Sequence, residues 1–430
     1  MRRVVAVVSF IAVVACHHSK APQAAPDASG PHAPPEPPAA APAARFSRPI
    51  AASRSAAGTT FVAGFVVARG AVALTALSSA GTTLWTHDVI TGVAWSATAT
   101  LTVLPSAGGA IVVWHGLHGG QDATMATSID ADGKVRDEPF SVGAATCATD
   151  TELVWAERGT KGTWLVKARA YGTATSVTAL ALPEERDPLV LCAAHRILAL
   201  GDGDEDVTLT SWSQGIRTPP IRVMEDIEFP GDEERGHEVY AVGDVLGLVR
   251  IGQSGSVASR EVTGDHRPLW RRFGRKLTEG DDVTLVDADA HTAILAFTRD
   301  TSAPGDVISK STVHALAWDR AGSRDVTVEL APADPAHVRG PFWSGAVAGG
   351  VVVAWAERSV GNDAGEAPID GLAYRVVSMD TPGELVRIAR AADELVDAGC
   401  DEVHCYAVAL ARATGEDGGQ PEVAEVLRYP

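Results

Sequence analysis

Short runs of apolar residues recur along this chain at intervals of roughly 50 residues, which is the spacing expected of a structural repeat. Because such a run leaves no polar face, it predicts a strand that is covered on both sides. Few stretches have the 3.6-residue apolar periodicity of a long helix, so the chain is predicted to be all-β. Eight runs carry this pattern: 61–67, 111–114, 153–158, 197–200, 246–250, 294–299, 351–358 and 406–412.

A second element follows most of these runs after a variable loop. It reads as a strand, a tight turn rich in Asp and Gly, and another strand, as at 128–133, 318–322 and 378–383. Asp and Gly suit such turns because they tolerate left-handed backbone. A further short strand precedes each apolar run, so each unit holds three or four strands.

This arrangement resembles a β-propeller, in which each blade buries its faces only against its neighbours. We favour eight blades, one for each apolar run. Two alternatives stay open. Residues 46–52 could supply a missing fourth strand to the last unit, which would lower the count to seven, or the chain could form two β-sandwich domains.

The segment from Ala80 to Trp85 resembles the glycine-to-tryptophan segment of quinoprotein-type propeller repeats. That family includes redox enzymes and an outer-membrane lipoprotein that helps to assemble β-barrels. The tryptophan does not recur at this place in the other units. The resemblance therefore implies a propeller and leaves a quinoprotein-like activity as one alternative.

The first sixteen residues form a compact signal. Arg2 and Arg3 precede an apolar run at 4–15, which is shorter than the about 20 residues needed to cross a bilayer. Val13-Val14-Ala15-Cys16 resembles the lipobox of bacterial lipoproteins, which implies a signal peptide at 1–15 and acyl chains on Cys16. In those lipoproteins an Asp after the cysteine often directs inner-membrane retention. His17 in that place favours the outer membrane. An ordinary signal peptide or a spanning helix are the alternatives.

The next segment, 16–45, is predicted to be a tether. Residues 21–45 consist largely of Ala and Pro, with eight prolines and no aromatic or branched apolar residue. Such a segment cannot bury a core and favours extended polyproline conformation. The propeller is therefore predicted to occupy residues 46–430.

The net charge of −18 narrows the range of partners. It argues against nucleic acid and against direct adhesion of the domain to anionic lipid. It would suit a cationic partner.

Four cysteines follow Cys16, and an even number in an exported chain predicts disulfides. Cys400 and Cys405 are predicted to pair across a hairpin. The alternative is a metal site with His404. Cys147 and Cys192 occupy equivalent places in adjacent units and are predicted to bridge two blades, with two buried free thiols as the alternative.

One basic segment, 266–276, interrupts a series of acidic loops at 184–187, 202–206, 225–234 and 359–370. We predict it to be a loop that contacts a partner, because Arg and aromatic residues are enriched where proteins bind one another. A solvated loop that balances its acidic neighbours is the alternative. The candidate contact residues are Arg267, Trp270, Arg271, Arg272, Phe273 and Arg275.

No motif for a catalytic serine, a zinc protease or a phosphate-binding loop occurs, and we predict no catalytic residue, cofactor or metal centre. The sequence thus favours an envelope lipoprotein whose propeller binds a protein or a glycan. A quinoprotein-like or hydrolytic enzyme that uses the central channel is the alternative.

Overall fold

The computed structural model describes residues 47–430, with gaps at 56, 107, 150, 183–188, 194–195, 203–206, 214–215, 218–220, 223–233, 244, 264–268, 303–309, 361–367, 381, 402 and 413–420. The lipobox and the tether lie outside the described residues. Within these residues, strands account for all regular structure apart from two single turns of 3₁₀ helix, η1 (Val67–Arg69) and η2 (Thr160–Gly162). The predicted all-β class is confirmed.

The described residues form eight antiparallel sheets, each built from strands that follow one another in sequence. The first sheet contains β1 (Ser47–Arg54), β2 (Thr60–Val66), β3 (Ala71–Leu77) and β4 (Thr83–Thr91). The second contains β5 (Val93–Ala94), β6 (Thr100–Ser106), β7 (Gly109–His118), β8 (Gln121–Asp130) and β9 (Val135–Ser141). The third contains β10 (Ala144–Ala148), β11 (Glu152–Arg158), β12 (Trp164–Ala170) and β13 (Val177–Leu182). The fourth contains β14 (Leu189–Ala193), β15 (Arg196–Asp202), β16 (Val207–Ser213), β17 (Ile216–Arg217) and β18 (Ile221–Arg222).

The second half of the chain repeats the same meander. The fifth sheet contains β19 (Glu234–Val242), β20 (Val245–Gly252), β21 (Ser256–Val262) and β22 (Arg271–Arg275). The sixth contains β23 (Asp281–Ala288), β24 (Thr292–Asp300), β25 (Ser311–Asp319) and β26 (Asp325–Ala331). The seventh contains β27 (His337–Val347), β28 (Gly350–Ser359), β29 (Ile369–Val377) and β30 (Val386–Ala392). The eighth contains β31 (Glu394–Cys400), β32 (Cys405–Arg412) and β33 (Pro421–Tyr429).

The eight sheets close into a ring through their first strands. In the second sheet this strand is β6, because the two-residue β5 before it only pairs with the end of β7. Each of these strands contacts that of the next sheet, in the order β1, β6, β10, β14, β19, β23, β27 and β31, and β31 returns to contact β1. A closed ring of four-stranded meanders is a β-propeller. The chain is an eight-bladed β-propeller. The two-sandwich alternative is wrong, because all eight sheets belong to one ring.

The predicted apolar runs are the second strands of the eight blades, between the innermost strand and the third strand. Trp355 on β28 is fully buried against Leu285 and Ile294 of the sixth blade, and Trp155 on β11 packs on Ile111 of the second. Burying one such side chain contributes about 1.5–3 kcal/mol. Each indole nitrogen donates a hydrogen bond to a glutamate two residues later in its own strand. The N–H groups of these two buried tryptophans are therefore satisfied.

The ring closes between the eighth and first blades through side chains. Val62 and Leu77 of the first blade pack on Val408 and Leu410 of the eighth. At the same junction the Arg54 guanidinium lies 3.5 Å from the centre of a tyrosine ring on β32. The first strand, β1, pairs with β2 and belongs to the first blade. The seven-blade alternative, in which residues 46–52 complete the last unit, is therefore wrong.

Both predicted disulfides are present. Cys147 on β10 and Cys192 on β14 join the innermost strands of the third and fourth blades, with Cα atoms 5.6 Å apart. Cys400 and Cys405 join the first two strands of the eighth blade. Gly345 of the seventh blade lies against that second bridge, and a Cβ there would be 2.0 Å from the Cys400 sulfur. The bridge therefore occupies the space that a side chain at 345 would need.

The two disulfides should differ in their contribution to stability. The Cys147–Cys192 bridge spans 45 residues and the Cys400–Cys405 bridge spans 5. Chain-entropy arguments assign about 4 kcal/mol to the longer loop and about 2 kcal/mol to the shorter one. In non-reducing urea unfolding, we expect the Cys147→Ser/Cys192→Ser variant to lose more stability than Cys400→Ser/Cys405→Ser. The opposite order would contradict this assignment.

Candidate functional site

The two faces of the propeller follow from the order of the strands. Since each sheet is an antiparallel meander, the connections from second to third strand and from blade to blade lie on one face, here called the upper face. The connections from first to second and from third to fourth strand lie on the lower face. The predicted basic segment falls between the third and fourth strands of the fifth blade, and so on the lower face. The acidic segment 184–187 and residues 225–233 of the segment 225–234 lie outside the described residues.

Residues 271–275 of the basic segment form a strand, contrary to the prediction of a loop. Arg271–Arg275 forms β22, the outer strand of the fifth blade. Arg271 donates to the backbone oxygens of Asp319, at 2.5 Å, and Gly322, at 2.9 Å, in the sixth blade. Phe273 is only 8% exposed and packs on the Trp318 ring, with 5.2 Å between ring centres. Arg271 and Phe273 therefore both connect the outer strand of the fifth blade to the sixth blade.

The other described candidate residues of the basic segment are partly buried or exposed. Trp270 is half-buried, with the Arg260 guanidinium 5.1 Å from its ring. Arg272 and Arg275 are exposed on β22. Arg267 lies outside the described residues. Partner binding here stays a prediction, and its surface is reduced to these two arginines and the adjoining Leu269, which is 90% exposed.

His115 of the second blade makes a side-chain contact within its own hairpin. The His115 Nδ1 lies 3.0 Å from the Thr124 hydroxyl across the β7–β8 pair. In the part of the chain that the structure describes, no three His, Cys, Asp or Glu side chains converge as metal ligands.

One buried carboxyl, Asp287, and one partly exposed carboxyl, Asp397, lie on innermost strands of the sixth and eighth blades. Asp287 on β23 is 4% exposed and bonds to the Ser344 hydroxyl on β27, the innermost strand between them. Its Oδ1 accepts from the Ala288 amide at 2.8 Å. Asp397 on β31 accepts from the Gly399 amide at 3.0 Å. The two carboxyls thus approach the seventh blade from opposite sides.

Burial governs the ionisation of both groups. It raises the pKa of the Asp287 carboxyl to about 6, although the amide and hydroxyl donors lower it. Burial is the largest cause that raises the pKa of the Asp397 carboxyl to about 7, and the negative charge of Asp287 contributes to this rise. Each group is therefore protonated more readily than a surface carboxyl, and the two are electrostatically coupled.

An exposed aromatic platform lies on the upper face of the first and second blades. Trp95, in the connection between these blades, is 57% exposed, and Val67 in η1 is 59% exposed. Both belong to backbone segments that are bonded together: the Val93 amide donates to the Gly70 oxygen at 3.0 Å, and the Gly119 amide donates to the Gly92 oxygen at 3.1 Å. We call residues 67–70, 92–95 and 117–120 the Trp95 platform.

The platform rests on a rigid base. β5 pairs with the end of β7, which fixes the two residues before Trp95. Beneath it, Trp114 is fully buried and stacks on Phe65, with 5.4 Å between ring centres. Gly70 adopts φ +55°, and a Cβ there would lie 3.1 Å from the Val93 oxygen, so glycine permits this close approach.

The chemistry of the Trp95 platform is that of a contact surface. An indole held on fixed backbone offers a flat apolar face at little cost in conformational entropy. Arg69 lies at its edge and pairs with Asp88 at 2.8 Å. Exposed Gln121 and Asp122 follow in the next hairpin and add hydrogen-bonding groups. Such a surface can bind a peptide or the apolar face of a sugar.

Comparisons with known proteins leave the family open. No protein-family model matches the chain, and no curated protein matches it. Among solved structures, the WD40 domain of SCAP from fission yeast is similar at 9% identity, with a TM-score of 0.49, over 91% of this chain and 97% of that one. A prolyl endopeptidase is similar at 13% identity, with a TM-score of 0.49, over 85% of this chain and 54% of its own. The SapL1 lectin in complex with alpha methyl fucoside has 12% identity and a TM-score of 0.34, over 68% of this chain and 99% of that one.

The buried carboxyls predict a pH dependence of stability. Between about pH 4 and pH 7 the folded chain holds protons that the unfolded chain has released, so these groups make the free energy of unfolding fall as pH rises. We expect Asp397→Asn to flatten this fall and to add about 1–3 kcal/mol at neutral pH.

Urea unfolding at a series of pH values measures this effect. Asp282→Asn on β23 is the matched control, because that side chain is exposed. Equal pH profiles for wild type and Asp397→Asn would contradict the assignment.

Proposed function

We propose that this protein is an exported envelope lipoprotein, anchored through acyl chains on Cys16, whose propeller binds a protein or a glycan. The observation that carries the binding proposal is the Trp95 platform. Trp95 is 57% exposed, and hydrogen bonds hold the backbone beside it. Exposure of the indole to water is unfavourable, and its burial against a partner loses little conformational entropy.

The proposed location is supported by the disulfides and by the sequence of the first 45 residues. Two disulfides indicate an oxidising compartment, because thiols stay reduced in the cytosol. No described residue belongs to a helix long and apolar enough to cross a bilayer. The lipobox resemblance and the Ala/Pro-rich segment supply the proposed anchor and tether, with the outer membrane as the expected destination.

The alternative function is a hydrolytic enzyme that uses the central channel, for which the carboxyls on innermost strands, Asp287 and Asp397, are the candidate groups. Asp287 and Asp397 combine pKa values of about 6 and about 7, which would let one carboxyl donate a proton while the other stays ionised. The two functions use different residues. Asp287→Asn would abolish hydrolysis and leave binding at the Trp95 platform unchanged.

A photoreactive benzoyl-phenylalanine at position 95 tests the binding proposal in cells. In the full-length protein, we expect it to crosslink to one defined envelope component. The matched control is the same residue at Val177, which is also about half exposed but lies at the lower face. With the crosslinked component purified, we expect Trp95→Ala to weaken its binding at least about tenfold while stability stays unchanged. Identical adducts from both positions, or unaltered affinity of Trp95→Ala, would exclude the platform as a binding site.

Substitution of Cys16 tests the anchor. We expect Cys16→Ser to lose incorporation of radiolabelled palmitate and to move the protein from the membrane fraction to the soluble fraction, because one acyl chain or none holds a protein only weakly. As the matched control, His17→Asp should keep the label and shift the protein towards the inner membrane. Continued membrane association of unlabelled Cys16→Ser would refute lipid anchoring.

A further inference from the structure

The Trp95 platform combines one exposed aromatic ring with a floor of small residues. The exposed small residues of the platform are Ala68, Gly92, Ala94, Gly119 and Gly120. A Cβ at Gly119 or Gly120 would meet no atom within 4 Å, so the space around this hairpin turn is open. The floor therefore leaves room for a ligand beside the exposed indole.

Planar polar side chains lie on the far side of this floor. In the β5–β7–β8 ladder, Gln121 and Asp122 of β8 are separated from β5 by the intervening strand β7, and both side chains are exposed. Because neighbouring strands are spaced by about 4.8 Å, β8 lies about 10 Å from β5. An amide offers a donor and an acceptor side by side, and a carboxylate offers two acceptors. Both can therefore bond adjacent hydroxyl groups of a ligand that extends from the indole to β8.

The charge of the platform favours an uncharged ligand. Arg69 is the only residue with a permanently charged side chain at 67–70, 92–95 and 117–120, and it pairs with Asp88 at 2.8 Å. An anionic ligand would meet the Asp122 carboxylate and find the Arg69 charge already balanced. A cationic group is held best by a cage of several aromatic rings, whereas the platform has one exposed ring.

The backbone of the platform disfavours an extended peptide. β5 pairs with β7 on one side, and on its other side the Val93 amide donates to the Gly70 oxygen at 3.0 Å. Strand addition requires a free edge, which β5 therefore does not offer. A peptide held by its side chains needs several apolar contacts, but the platform exposes only Val67 and Trp95 as large apolar side chains.

On the basis of the binding role already proposed for the Trp95 platform, we propose that its ligand is a neutral oligosaccharide. A sugar ring has an apolar C–H face that can lie on the Trp95 indole and a rim of hydroxyls that both donate and accept. The hydroxyls of a neighbouring sugar bond to Gln121 and Asp122. The distance of about 10 Å between β5 and β8 requires more than one sugar ring.

A printed array of oligosaccharides tests the class of ligand. The full-length protein in detergent is applied to neutral oligosaccharides and to matched forms that carry sialic or uronic acid. We expect binding to neutral oligosaccharides, with at least about tenfold less signal from the acidic forms, because an added carboxylate would lose its hydration without gaining a cation. Failure to bind any neutral oligosaccharide would overturn the proposal.

Substitutions at the platform connect this binding to the named residues. In calorimetric titration with the best neutral oligosaccharide, Trp95→Ala should bind at least about tenfold more weakly, whereas Trp95→Tyr keeps a flat ring and should restore most of the affinity. The double variant Gln121→Ala/Asp122→Ala should also lose about tenfold, because its hydrogen bonds are absent. Val177→Ala on the lower face is the matched control and should bind as the wild type does. Unaltered affinity of Trp95→Ala would place the sugar elsewhere and overturn the proposal.

Periodate oxidation distinguishes failure of the oligosaccharide proposal from failure of the binding role. The envelope component crosslinked at position 95 is purified, its sugar diols are cleaved with periodate, and an iodate-treated sample serves as the control. We expect only the periodate-treated component to lose binding to the full-length protein. Retained binding would identify a polypeptide ligand, which would overturn the oligosaccharide proposal and leave the binding role intact. Absence of any crosslink at position 95 would overturn both.

Discussion

The structure depends on one constraint: a four-stranded sheet with two apolar faces cannot bury both of them alone. Each second strand is covered on both sides only because a neighbouring blade lies against each face. The cluster that joins the first two blades, with Phe61 and Leu74 against Val112 and Trp114, exists only at such a junction. Closing the ring between the eighth and first blades therefore completes a core that no single blade possesses.

This constraint also explains where the charged residues are placed. In addition to apolar packing, polar contacts join neighbouring blades at their outer strands. Asp137 on the outer strand of the second blade accepts from Arg169, at 3.1 Å, and from the Gly172 amide of the third blade. Arg271 and Arg375 each donate to backbone oxygens of the sixth blade from opposite sides. Arg271, one residue of the predicted binding patch, thus joins the fifth and sixth blades.

The sequence reveals the features that are local in the chain. Eight apolar runs predict eight second strands, and the Cys400–Cys405 hairpin follows from short spacing. Apart from the Cys147–Cys192 bridge, which the repeat positions predict, features that depend on how blades meet are not visible in the sequence. Phe273 lies among arginines, and only the sixth blade shows that it is buried. Asp287 and Asp397 are 110 positions apart in numbering, and their coupling depends on the seventh blade between them. Trp95 lies in a connection without periodicity, so no pattern distinguishes it from a core tryptophan.

The direction of β1 relates the proposed anchor to the proposed binding surface. Since the β1–β2 connection lies on the lower face, β1 begins at Ser47 on the upper face. The Trp95 platform lies on that same face. A proline-rich tether extends by about 3.1 Å per residue, so about 30 residues would let the propeller stand up to about 90 Å from an anchored Cys16. A partner that occupied the platform would then lie on the side of the propeller from which the tether emerges. This geometry favours a partner that is itself held at or near the membrane.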